Sequence, residues 1–188
     1  MISNIPMLLT WIRILMIPFV VGVYFIPDTM LSLPHKNYFA GVFFILAALT
    51  DALDGYLARR LNQTSSFGAF LDPVADKLMV GAALIMLVYL DRIGPVLALI
   101  IIGREITISA LREWMAQIGA QSSIAVNSLG KLKTGAQMVA IPMLLFYETW
   151  LGVNQPIVGY ILLIVAALLT VLSMLYYLKK AIPIIQQR

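Results

Sequence analysis

Six runs of mostly apolar residues follow one another along the chain, over residues 7–26, 38–58, 70–90, 96–115, 136–150 and 157–178. An α-helix that crosses a bilayer needs about 20 such residues. The fifth run is short and is expected to extend back towards Lys131. The breaks between runs are rich in turn formers: Pro27-Asp28 and Pro34-His35-Lys36, Asn62-Gln63-Thr64-Ser65-Ser66, Asp91-Arg92-Ile93-Gly94-Pro95, a polar stretch over 119–130, and Gly152-Val153-Asn154-Gln155-Pro156. The pattern predicts an all-α integral membrane fold of six transmembrane helices, forming one domain over residues 1–188. The first run starts almost at the N-terminus with no small-residue cleavage site behind it, and reads as a retained transmembrane helix. No internal repeat or low-complexity tract interrupts the six runs.

Composition strengthens this reading. The 188 residues are 61% hydrophobic and 12% charged, whereas soluble domains carry about 25% charged residues. A soluble domain of this size lacks the polar surface to wrap six such runs. There is no cysteine and one histidine, His35, so a bound metal must be held by oxygen, which favours magnesium, manganese or calcium. Six spans put both termini on one side. Eleven of the 13 Lys and Arg residues then fall on that face, and only Lys36 and Arg92 on the other. The bias orients the termini and the basic face to the cytoplasm. Asp28, His35, Lys36, Asp91 and Arg92 read as solvated residues of the outer loops.

Charges within the runs carry the chemistry. A carboxylate at membrane depth costs roughly 2.5–3.5 kcal/mol on insertion scales, so each one calls for a partner. Asp51, Asp54, Gly55 and Ala58 stand at i, i+3, i+4 and i+7, on one helix face. Gly68, Asp72 and Asp76 are spaced by four and share a face of the next helix. A short loop joins these helices, so their acidic faces can meet near the cytoplasmic boundary. Four converging carboxylates suit one or two hard divalent ions, which can clamp both oxygens of a phosphoryl displacement. Small residues on these faces either admit a ligand closely or serve helix packing. A cation transporter would instead place acids near the midplane with repeat symmetry between halves. Here they cluster once, at one boundary.

Read together, Asp51-x2-Asp54-Gly55-x2-Ala58-Arg59-x8-Gly68-x3-Asp72-x3-Asp76 resembles the complete motif of the CDP-alcohol phosphotransferase family, eight fixed positions within 26 residues. The resemblance implies a six-helix membrane enzyme, usually a homodimer, that displaces CMP from a CDP-linked lipid or alcohol. Further stretches are similar to the bacterial branch that transfers a phosphatidyl group from CDP-diacylglycerol to glycerol 3-phosphate. They are Asn4-Ile5-Pro6, Leu8-Leu9-Thr10 and Arg13, then Phe67 through Lys77, Arg104-Glu105-Ile106, Ala110-Leu111-Arg112-Glu113-Trp114 and Gly130-Lys131-Leu132-Lys133-Thr134. Beyond Trp150 little but hydrophobicity is matched.

Carried onto this chain, the resemblance makes Asp51, Asp54, Asp72 and Asp76 ligands of Mg2+ or Mn2+, with two ions expected. Asp76 is also the general base. Gly55, Ala58, Arg59 and Gly68 would line the nucleotide pocket. Asn4, Thr10 and Arg13 would join the CDP-lipid site: Asn4-Ile5-Pro6 reads as a cap followed by proline in the first turn, and Thr10 and Arg13, at i and i+3, could touch the donor's phosphates. The chain's own pattern supplies a cationic set for a phosphorylated acceptor. Arg104 and Arg112 share a helix face, and Lys131 and Lys133 open the fifth helix. A dianionic phosphate beside four carboxylates needs several such cations. Glu105 and Glu113 would orient the arginines. Without a cysteine or activated histidine as nucleophile, direct in-line displacement is favoured. The implied partners are CDP-diacylglycerol, glycerol 3-phosphate and the lipid bilayer, with no nucleic acid. The implied location is the bacterial cytoplasmic (inner) membrane. Inositol phosphate and phosphatidylglycerol are the alternative acceptors.

Overall fold

The computed structural model describes residues 5–61, 66–119, 128–150 and 152–186. Among the described residues six long helices make up the fold: α1 (Ile5–Gly22), α2 (Leu33–Leu61), α3 (Ser66–Tyr89), α4 (Pro95–Gln117), α5 (Ser128–Phe146) and α6 (Gln155–Gln186). A short 3-10 turn, Val23–Phe25, extends α1. The stretches Met7–Phe25, Leu33–Leu57 and Gln155–Pro183 are long and apolar enough to cross a membrane by themselves. Helices α3 and α4 fall short of that standard because they carry Asp72, Asp76 and Lys77 and Arg104, Glu105, Arg112 and Glu113 respectively. The groups that dilute their hydropathy are the groups singled out for chemistry.

The outward faces are apolar. Leu15, Phe19, Ile85, Leu99, Leu168 and Leu172 are all more than half exposed. Such a surface suits hydrocarbon rather than water; this is a membrane protein. Inside, Val20, Phe44, Leu84, Leu87, Ile101, Ile141, Leu144 and Leu163 form the main core. Small residues let the helices approach. A Cβ on Gly159 of α6 would stand 3.1 Å from the backbone oxygen of Ala140 on α5, and one on Gly41 of α2 would stand 2.7 Å from the Phe146 ring. These two glycines serve the close packing usual between membrane helices.

Two expectations need correction. The break over Gly152-Val153-Asn154-Gln155-Pro156 is more than a turn: Thr149–Trp150 and Val153–Asn154 pair as a two-residue antiparallel hairpin. Gly152 takes the positive φ of +77° that the reversal requires. Nor are Lys36 and Arg92 solvated, since they are 4% and 8% exposed. Helix α3 ends in a Schellman-type cap with Asp91 at φ 55°, where the Arg92 N–H donates to the Leu87 carbonyl over 2.9 Å. That cap turns the Arg92 side chain inward. Its guanidinium donates to the carbonyls of Leu144 and Leu145 at 2.8 and 2.7 Å and to Asn37 Oδ1 at 2.5 Å. It also lies over the Tyr147 ring, 4.4 Å from the centroid. Arg92 thereby caps the C-terminal end of α5 and ties it to α2. Lys36 reaches Asp28 Oδ1 at 2.6 Å.

Candidate active site

The aspartates lie where α2 ends and α3 begins. The first helix brings them together. Helix α1 packs against both α2 and α3, more extensively than those two pack on each other. Arg13, on the inner face of α1, is wholly buried. Its Nη1 lies 2.7 Å from Asp51 Oδ1 and 3.4 Å from Asp72 Oδ1, and its Nη2 contacts Asp54 Oδ2. One turn earlier, the Thr10 hydroxyl donates to Asp72 Oδ1 over 3.2 Å. Thr10 and Arg13, expected against the donor's phosphates, are thus in contact with the carboxylates.

Oxygens of Asp51, Asp54 and Asp72 all lie within 4.8 Å of one another. Oxygens that share one magnesium ion stand up to about 4.2 Å apart, twice the metal–oxygen distance, and calcium allows more. Small side-chain adjustments would bring the three onto one ion. Burial supports the fit. Asp54 is 3% exposed, whereas Asp51 and Asp72 are 39% and 38% exposed. The cluster is therefore anchored within the helices and open on one side. Asp54 Oδ1 is buried and, among the described residues, has no hydrogen-bond partner. A bound cation would satisfy a buried carboxylate oxygen in that state. One guanidinium against three carboxylates leaves negative charge to be balanced.

Asp76, one turn beyond Asp72, does not join that group. It lines an adjoining polar cleft of about 550 Å³ together with Lys77, Arg104, Glu105, Arg112 and Lys133. Four basic and two acidic side chains give the cleft a surplus of two positive charges, matching a phosphate monoester. Asp76 Oδ1 is also buried without a hydrogen-bond partner among the described residues. Arg104 and Lys133 are nearly buried, at 7% and 3% exposure. Glu105 lies 3.4 Å from Arg104 Nη1 and makes a close ion pair with Lys133. Glu113 is exposed and is not among the residues that line this cleft. A second cleft, of about 490 Å³ and almost wholly apolar, shares Lys77 and Glu105 with the first and runs between α1, α3 and α4 past Ile14, Ile17, Ile85 and Ile106.

The comparisons with known proteins agree with this geometry. The family model described as CDP-alcohol phosphatidyltransferase matches residues 3–176. The chain belongs to that family. Among curated relatives, it is 48% identical over 180 residues to the CDP-diacylglycerol--glycerol-3-phosphate 3-phosphatidyltransferases of Escherichia coli (strain K12) and Shigella flexneri serotype 5b (strain 8401), covering 95% of this chain and 94% of each of theirs. The protein of the same name from Wigglesworthia glossinidia brevipalpis is 46% identical over 176 residues, 93% of this chain and 92% of its own.

In this family member the remaining positions fall as follows. Gly55 is half-buried, and a Cβ built on it would meet nothing within 4 Å. Among the described residues nothing in helix packing requires its small size, and space remains beside the aspartate face. Gly68 is half-buried near the start of α3. Asn4 lies outside the described residues, as do the side chains of Ala58, Arg59 and Lys131, although the last three sit on α2 and α5 by backbone. Ser173 and Tyr177 were missed. They lie on α6, wholly buried, against Arg104 and Arg112. Two buried polar residues at i, i+4 on an otherwise apolar helix were the available signal.

Proposed function

We propose that the protein transfers the phosphatidyl group of CDP-diacylglycerol to glycerol 3-phosphate, releasing CMP. The observation that carries this reading is the position of Asp76. It lies one turn from the carboxylate cluster and on the wall of the cationic cleft, between a site for divalent ions and a site for a phosphate.

Asp51, Asp54 and Asp72 would hold the ion, with Asp76 able to contribute a second contact; Mg2+ or Mn2+, in two copies, suits the donor set. A bound divalent ion would supply positive charge to the phosphates of the CDP-lipid, easing departure of CMP. Arg104, Arg112 and Lys133, with Lys131 at the head of the same helix, would grip the phosphate of the acceptor. That grip sets the 1-hydroxyl of glycerol 3-phosphate beside Asp76. Asp76 takes the hydroxyl proton as the oxygen attacks the lipid-side phosphorus, and the bond to CMP breaks in line. Gly55, Ala58, Arg59 and Gly68 would border the nucleotide, and Asn4 would belong to the same CDP-lipid site. The apolar cleft beside Lys77 and Glu105 fits an acyl chain whose headgroup reaches the polar cleft. The basic bias of one face supports an active site on the cytoplasmic side of the bacterial cytoplasmic membrane. The six helices would act as one catalytic domain, within a homodimer on the family resemblance.

The test is CMP release from CDP-diacylglycerol by purified protein with Mg2+ and a panel of acceptors. Glycerol 3-phosphate should support turnover, and inositol phosphate and phosphatidylglycerol should not. Turnover with either of those instead would reassign the acceptor. Asp76→Asn should keep donor binding and lower kcat by several orders of magnitude; full activity would remove the general-base role.

A further inference from the structure

Helix α6 is apolar along most of its length, yet it touches Arg104 and Arg112 from behind. Arg104 Nη2 donates to Ser173 Oγ over 2.8 Å. Ser173 in turn donates its own hydrogen to the carbonyl oxygen of Thr170, 2.9 Å away. With its proton committed there, the Ser173 oxygen presents a lone pair to the arginine. One turn on, Arg112 Nη2 donates to the Tyr177 hydroxyl over 3.3 Å, and its guanidinium lies 5.3 Å from the centroid of the Tyr177 ring. Ser173 and Tyr177 are both 0% exposed.

The spacing is informative. Arg104 and Arg112 are separated by about 12 Å along α4, whereas Ser173 and Tyr177 are separated by about 6 Å along α6. Both guanidiniums nevertheless line one cleft. The chemistry of the anchors matters as much. A carboxylate behind each arginine would orient it but neutralise it. A hydroxyl and an aromatic face orient it and leave its charge for a ligand. Glu105, the nearby acid, lies closer to Lys133 than to Arg104. Arg104 Nε has no hydrogen-bond partner among the described residues, so a donor remains to be used.

We propose that Ser173 and Tyr177 are positioning residues that hold Arg104 and Arg112 for the phosphate monoester of the acceptor. The proposal rests on the functional reading above, and its test separates the two. Initial rates are measured on the full-length protein in detergent with Mg2+, varying glycerol 3-phosphate and CDP-diacylglycerol in turn. A hydrogen bond to a charged group supports an effect on the order of tenfold. Ser173→Ala and Tyr177→Leu should each raise the acceptor KM by about that factor, with kcat and the donor KM changed less than about twofold. Ser173→Thr keeps the hydroxyl and Tyr177→Phe keeps the ring, and each should recover part of the loss. Donor and acceptor KM rising together, or kcat falling with an unchanged acceptor KM, would overturn the proposal.

A second arm follows thermal stabilisation of the same proteins by inorganic phosphate. Ser173→Ala and Tyr177→Leu should need several-fold more phosphate for the same shift, and unchanged midpoints would overturn the proposal. This arm reads the clamp even if wild-type protein releases no CMP with glycerol 3-phosphate, a result that would sink the functional reading alone.

Discussion

Two arginines are buried at opposite ends of this bundle, and their surroundings differ in kind. Arg13 sits among three carboxylates. Arg92 sits among two carbonyls, an amide oxygen and a tyrosine face. Asp72 and Arg92 are 20 residues apart through α3 and its cap, roughly 30 Å as helix, so the contrast spans about the thickness of a bilayer core. At the Arg92 end, one positive charge meets neutral acceptors whose lone pairs would otherwise lack partners at the end of α5. The account closes there, and the arrangement is a fastener. At the Arg13 end, negative charge exceeds positive and, among the described residues, a buried carboxylate oxygen is left over. The account stays open until further cations arrive. An ionisable group in a membrane marks function when its partners leave charge unbalanced, and architecture when they do not.

The largest effect should come from deepening the imbalance's loss. Asp54→Asn removes the most buried carboxylate of the cluster while Asp51 and Asp72 still engage Arg13. Turnover should fall by about a thousandfold or more, with the thermal midpoint in detergent within a few degrees of wild type. Removing divalent ions with a chelator should abolish CMP release and, on readdition, restore it. An Asp54→Asn protein with near-normal turnover would break the comparison at its functional end.

The structural end is tested by Arg92→Met, which leaves the Leu144 and Leu145 carbonyls and Asn37 without their donor. Leaving buried polar groups unpartnered should lower stability by about 2–4 kcal/mol, read as a lower unfolding midpoint in detergent. The acceptor KM at low temperature should be unchanged. A raised KM with an unchanged midpoint would reverse the roles assigned to the two ends.

These two arginines also show what a sequence conceals. The aspartate faces were legible because i, i+3, i+4 spacing on a helix is local, and so was the pairing of Arg104 with Arg112 on one face of α4. The six helices were legible because each apolar run has its own length. Nothing within α1 reveals that Arg13 will meet Asp54, 41 residues away. Arg92 was read as solvated because it stands in a break between apolar runs, before Gly94-Pro95, and the carbonyls it caps lie more than 50 residues on. Ser173 and Tyr177 were passed over because hydropathy averages out isolated hydroxyls on an apolar helix. Long-range polar pairing leaves no periodicity, and most of what was missed belongs to that class.

A smaller effect is expected at the cationic cleft. Arg112 is exposed, with Tyr177 behind it. Arg112→Ala should raise the acceptor KM about tenfold, the loss of one charge-assisted contact, with the donor KM and the unfolding midpoint nearly unchanged. An unchanged acceptor KM would discredit the phosphate clamp and leave the aspartate cluster as the sole functional end of the comparison.

The smallest effect should come from the Arg92 end, at the ion pair between Lys36 and Asp28. The distance is short, 2.6 Å, and Lys36 is buried, so the pair resembles the Arg13 cluster on geometry alone. Exposure separates them. The Asp28 side chain is 84% exposed, so water and salt screen the attraction, and exposed pairs contribute about 0–1 kcal/mol. Lys36 also reaches the Tyr24 carbonyl oxygen at 3.5 Å, a contact that survives the loss of Asp28. Asp28→Asn should therefore lower stability by about 0.5 kcal/mol or less, and the difference from wild type should shrink in high salt. A loss comparable to that of Arg92→Met would mean that the Arg92 end, too, depends on charge balance, and that neutral partners alone do not distinguish the fastener from the aspartate cluster.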